Sequence, residues 1–288
     1  MKLTVRLYFF PQERAPLLAD PVISREIDLA EPFWVDTESE IFLRLLSLGA
    51  IGQGAQPSFE VECTEKELTQ VRAFQPLCRK LVRETDEDRA LNFARIRNPP
   101  PGNEEFPSQR IDRIVLSRVD LPPNAVGGVE TCGVEYVLGG AAAQAFHDFS
   151  GFEPRPIYQP SGETHRGATQ LYTSRTMPPC VRDRTLLARR NPAPLPSAFA
   201  QLGCLSYAPP ALDAMADFNR TMEPLTGNWL ADWIVSARVR ARFKERKLKG
   251  WAFRPVLEAG SALHREYLEK WERLRGRMEQ HGAARVMR

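Results

Sequence analysis

One stretch of this chain occurs twice, and that constrains its fold more than any other feature of the sequence. Residues 136–157 read YVLGGAAAQAFHDFSGFEPRPI, and residues 233–256 read WIVSARVRARFKERKLKGWAFRPV. Tyr136, Val137 and Leu138 align with Trp233, Ile234 and Val235, and Phe146 then meets Phe243. After a two-residue slip, Gly151 and Phe152 meet Gly250 and Trp251, and Arg155, Pro156 and Ile157 meet Arg254, Pro255 and Val256. Each copy reads as strand, helix, glycine turn and closing strand. Recurrence after about 100 residues predicts two related halves rather than a short-period solenoid. The expected fold is α+β, with an N-terminal half over 1–160 and a C-terminal half over 161–288, joined in the proline- and glycine-rich stretch near 158–167.

Periodicity places the other elements. Leu3, Val5 and Leu7 alternate with Thr4 and Arg6, the period of a half-buried strand over Leu3–Phe10. Val22–Leu29 reads as a second strand. Asp36 or Thr37 is placed to cap a helix through Ile41 and Leu46, with Gly49 to end it. Phe59–Cys63 alternates as a strand, and Thr64 with Glu67 forms a capping box that opens a helix expected to fade before Pro76. Thr85 starts a short helix, and PPPGNEEFPSQ at 99–109 reads as a loop. Arg113–Leu121, Gln170–Thr173 and Leu202–Tyr207 read as strands, and Ala211–Phe218 as a helix. Ser261–Gln280 carries Leu263, Tyr267, Trp271, Leu274 and Met278 on one face of a closing amphipathic helix.

Composition excludes several classes. No run approaches the ~18 apolar residues of a membrane span, and Arg6 interrupts the short apolar start that a secretory signal would need. Cysteines 63, 78, 132, 180 and 204 are odd in number and form no CxxC pair, which fits a reducing cytoplasm and no zinc site. Residues 1–100 hold 13 Lys/Arg against 16 Asp/Glu, whereas 201–288 hold 16 against 10. A basic C-terminal region suits an acidic protein, nucleic acid or an anionic surface, as well as plain solvation.

That charge concentrates in Arg238, Arg240, Arg242, Lys244, Arg246, Lys247 and Lys249, opposed only by Glu245. At about 100° per residue these side chains wrap round the helix and leave a narrow Val239/Phe243 anchor. The first copy of the unit has no Lys or Arg between Tyr136 and Glu153, so the fold does not require the charge. The seven residues are the candidate partner-binding set, with a solvated helix face, an acidic protein and nucleic acid as competing readings.

No catalytic constellation stands out. His147, His165, His264 and His281 are scattered, and the loop SGETHRG at 161–167 reads as a turn. GxGxxG, GxxxxGK[ST] and HExxH are all missing, so no cofactor, metal or catalytic residue is expected. An enzyme built on Glu163 and His165 is the rival reading.

The C-terminal segment resembles the closing unit of immunity proteins that bacteria pair with polymorphic or contact-delivered toxins. Val235, Ser236, Gly250, Trp251, Phe253, Pro255 and Val256 hold the matching positions of its strand, glycine and aromatic-x-Phe-x-Pro-Val pattern. The likeness extends to the double-CxxCG immunity set, whose cysteine pairs this chain lacks. The resemblance implies a non-enzymatic protein that binds a cognate toxin and blocks it.

Overall fold

Leu3, Val5 and Leu7 are buried and set one face of the first sheet. The structure, a computed structural model, describes residues 1–51, 58–97, 113–131, 134–183, 186–189, 198–225 and 230–283. The first segment runs β1 (Lys2–Leu7), α1 (Pro11–Leu18), α2 (Pro21–Glu26), β2 (Phe33–Asp36), α3 (Glu40–Ser47), β3 (Ser58–Glu62) and α4 (Glu65–Leu68). β1 lies between antiparallel β2 and β3. The stretch expected as a strand over Val22–Leu29 is helical through Glu26, because Asp20 accepts the Val22 and Ile23 amides and Pro21 sits at the first helical position. The Thr64/Glu67 capping box forms as expected.

The chain continues through β4 (Ala73–Cys78), β5 (Leu81–Val82), α5 (Asp86–Arg97), β6 (Val126–Val129), β7 (Tyr136–Gly139), α6 (Gly140–Ala145), β8 (Arg155–Tyr158) and β9 (Thr164–Gln170). It ends with β10 (Leu186–Arg189), β11 (Ala198–Gln201), β12 (Ser206–Tyr207), α7 (Pro209–Asp213), β13 (Phe218–Pro224), β14 (Ala231–Ser236), α8 (Ala237–Glu245), β15 (Trp251–Glu258) and α9 (Ala262–Gln280). The fold is α+β.

The two copies share one topology. In the first, the strands lie in the order β6-β7-β9-β8; in the second, β13-β14-β4-β15. A hairpin leads into each unit, and a strand antiparallel to both neighbours separates its first and last strands. The register matches residue for residue. Arg155 and Pro156 pair with Gln170 and Thr169, and Arg254 and Pro255 pair with Gln75 and Phe74.

The division expected near 158–167 does not separate the sheets. β9 belongs to the first unit, while the middle strand of the second is β4, drawn from far upstream. The repeat itself omits its middle strand, so the pattern 136–157/233–256 could not assign it. Pro76, expected to follow a helix, lies inside β4; β14 pairs with β4 only at Ala73 and Phe74, so no rung to β14 is lost there. Arg113–Leu121, expected as a strand, makes among the described residues only the bridge from Val115 to Tyr158. Gln170 ends β9 rather than starting a strand, Leu202–Tyr207 contracts to β12, and α7 stops at Asp213, leaving Phe218 to open β13. The loop expected at 99–109 lies outside the described residues.

The copies lock into each other through equivalent backbone bonds. Val126 N–H donates to the Lys249 carbonyl at 2.8 Å, and Phe218 N–H donates to the Ser150 carbonyl at 3.0 Å. The residue after each accepting carbonyl, Gly250 or Gly151, has positive φ (104° and 76°). A Cβ on Gly250 would meet the Val126 carbonyl oxygen at 1.7 Å, and one on Gly151 the Phe218 oxygen at 2.3 Å. Only glycine permits both the turn and the close approach. The shared core of Tyr136, Phe146, Phe218, Trp233, Phe243 and Trp251 fills the space between. α9 instead closes the amino-terminal sheet with Tyr267, Trp271, Leu274 and Met278, while Leu263 is partly buried. Ser261 caps it, its hydroxyl accepting the His264 N–H.

Candidate functional site

Helix α8 forms on a buried Val239 and Phe243 but stops at Glu245, so Arg246, Lys247 and Lys249, expected along the helix, follow its last turn. Its cations divide into two sets. Arg240 and Lys244 both reach Glu65 at the start of α4, at 3.2 and 2.9 Å. Arg238 bonds Asp148 and Asp217 at 3.2 Å, and Arg242 donates to the Ala145 carbonyl at 2.9 Å and lies 3.6 Å from Asp148. These four are engaged within the fold. The hydrogen bonds from Lys244 and Arg240 hold the Glu65 carboxyl below its ordinary value.

The other set sits at the end of the helix. Among the described residues Arg246 approaches only the Glu245 carboxylate, at 3.8 Å, and Lys247 and Lys249 are exposed. The chain brings Arg79 and Lys80 beside them, because Arg79 N–H donates to the Gly250 carbonyl and Gly128 N–H to the Lys80 carbonyl. A cleft of about 630 Å³ opens next to this corner, lined by Lys80, Leu81, Arg83, Arg118 and Asp120 among others.

A different surface lies on the amino-terminal sheet. Strand alternation sends Arg6 and Tyr8 to the face opposite Leu3, Val5 and Leu7, and pairing sets Trp34 beside Arg6. Tyr8, Phe10 and Trp34 remain 39%, 46% and 43% exposed. Tyr8 and Phe10 contact edge to face at 5.5 Å, and the Arg6 and Arg14 guanidinium groups approach the Trp34 and Tyr8 rings at 6.0 and 5.8 Å. Exposed Tyr, Trp and Arg in one patch is the composition of interface hot spots. The alternation over Leu3–Phe10 contained this signal, in Arg6, Tyr8 and Phe10 at every second position.

The residues of the rival enzymatic reading do not converge. Glu163 is exposed in the turn between β8 and β9, and its N–H donates to Ser161 Oγ at 3.5 Å. His165 Nε2 bonds the Leu116 carbonyl at 2.6 Å. Burial disfavours the thiolate at each described cysteine. Burial pushes Cys63 up to about 11, and burial likewise raises Cys78, Cys180 and Cys204. Cys132 lies outside the described residues. Among the described residues no group of three or more His, Cys, Asp or Glu is arranged to hold a metal, and no helix is long and apolar enough to cross a membrane.

No protein-family model matches the chain, and no curated protein matches its sequence.

Proposed function

We propose that this protein is a non-catalytic immunity protein that binds a cognate bacterial toxin in the cytoplasm and neutralises it. The observation that carries the reading is the exposed Tyr8–Phe10–Trp34 patch with Arg6 and Arg14 on its rings. Such aromatic anchors, backed by a buried sheet, supply rigid contact area at low entropic cost. The C-terminal resemblance to toxin-immunity units supports the toxin as partner. Engagement of Arg238, Arg240, Arg242 and Lys244 by carboxylates and a carbonyl weighs against a nucleic-acid helix.

The test is co-expression with the toxic carboxy-terminal domain encoded by the adjacent upstream gene. Wild-type protein should restore growth and form a stoichiometric complex that survives nuclease. Trp34→Ala with Tyr8→Ala should weaken that complex at least about tenfold, or 1.4 kcal/mol, without lowering the melting temperature. Failure of the wild-type protein to protect overturns the reading for that pair.

A further inference from the structure

We infer that the corner where α8 turns into β15 and β4 turns into β5 is a docking surface for an acidic, extended polypeptide segment of a partner protein. It stands apart from the Tyr8 patch and independently of the toxin reading. Three turns are stitched together there: Arg79 N–H to the Gly250 carbonyl (2.8 Å), Gly128 N–H to the Lys80 carbonyl (2.9 Å) and Lys249 N–H to the Asn124 carbonyl (3.0 Å). This gathers Arg79, Lys80, Lys247 and Lys249, and Arg83 lines the adjoining cleft with Lys80; none of these side chains has a carboxylate partner among the described residues. Uncompensated like charges fixed on rigid backbone attract an outside anion.

Lys247 supplies a second observation. Its φ of 49° makes it the one non-glycine residue with positive φ among the described residues. It follows Arg246, the C-cap of α8, at the position where helices usually place glycine. A lysine there forgoes the stability glycine would give, while its ammonium meets no carboxylate of the described fold. A cation kept at a strained position points to a partner outside the chain.

The adjoining cleft says what kind of partner. β5 is the edge strand of its sheet, and Leu81, 54% exposed, lines the cleft. Leu81 pairs with Gly128 while Gly128 N–H bonds the Lys80 carbonyl, so the N–H and C=O of Leu81 itself face away from β6. An edge of this kind accepts an added strand, with side-chain charge setting the choice of partner. Glu84, Asp88 and Asp120 also line the cleft and oppose a continuous phosphate backbone, and none of its described lining residues offers an aromatic ring for base stacking. A peptide can alternate, with carboxylates toward the cations and an apolar side chain toward Leu81.

The test uses the full-length protein and a fluorescent peptide of alternating Glu and Val, with a Lys-Val peptide and oligothymidylate as comparators, read by anisotropy. The Glu-Val peptide should bind saturably, weaken with salt and outcompete both comparators. Lys80→Glu with Lys249→Glu should weaken it at least about tenfold. Lys247→Gly should raise the melting temperature yet lower peptide affinity, a split that a purely structural lysine would not give. Leu81→Pro retains the bonds β5 makes to β6 but removes the outward N–H, so it should weaken binding while Leu81→Ala keeps the backbone contact. If Leu81→Pro does not fold, protection of the Leu81 amide from exchange on adding peptide replaces it. Absent Glu-Val binding, preference for either comparator, or unchanged affinity in the charge variants overturns the proposal. Wild-type affinity in Leu81→Pro, or no amide protection, overturns the strand-addition mode.

Discussion

Tyr136 and Trp233, which hold the same place in the two copies of the repeated unit, face each other with ring centroids 6.2 Å apart. Equivalent residues can touch in this way only near an axis that relates the copies. The paired bonds from Val126 to Lys249 and from Phe218 to Ser150 obey the same relation. The contact between the units is thus isologous, like the interface of a twofold dimer, but within one chain.

Gly250→Ala should be among the most damaging single changes. It forces φ near 104° on an L-residue and drives a methyl group into the Val126 carbonyl. A loss above about 3 kcal/mol is expected in urea titration. Gly162→Ala also has positive φ, but its methyl would meet nothing within 4 Å, and it should cost only about 1 kcal/mol.

Trp271 is 3% exposed and packs edge to face on Phe59 at 5.1 Å. Trp271→Ala should cost about 3–5 kcal/mol in equilibrium denaturation. Because α9 closes the amino-terminal sheet, hydrogen exchange should quicken in β1 and β3 as well as in the helix. Unchanged exchange in those strands would refute the coupling.

Asp88 gives the acid limb of the stability curve part of its slope. Burial raises its carboxyl, but bonds from the Ser117 N–H and hydroxyl and from Thr85 more than reverse this, and its value falls below 3.8. A carboxyl depressed in the folded state stabilises above its unfolded value and loses that contribution as pH falls through the folded one. Asp88→Asn should therefore cost about 1–3 kcal/mol at neutral pH and flatten the decline below pH 4. Parallel acid limbs for the two proteins would count against this assignment.

The raised thiols make a simple labelling prediction. At neutral pH the native protein should leave Cys63, Cys180 and Cys204 almost unmodified by iodoacetamide over a time in which urea-unfolded protein reacts fully. Peptide mapping by mass reads the outcome at each site.

The repeated unit was legible because it is local: strand, helix, glycine and strand follow each other within one stretch. Its middle strand was not, since β4 comes from a distant segment and Pro76 argues against a central strand. The basic run was legible as charge but not as surface. Glu65, Asp148 and Asp217, which engage its first members, are brought to it by the tertiary fold. Val22–Leu29 misled because apolar residues at strand spacing followed an Asp-Pro helix start. The Arg79–Arg83 cations joined the site only through turns that no periodicity reveals.

The borrowed strand also orders events during synthesis. β6 through β9 are consecutive and can assemble as soon as they leave the ribosome, apart from contacts with the second unit. Residues 73–78 emerge long before β14 and β15, the strands that must flank them. Until residue 258 is made, β4 carries unsatisfied strand edges, exposed to any chaperone or neighbouring nascent chain. Closure of the second sheet is a late, long-range step, and the rate of folding should be set by how soon that waiting strand is captured.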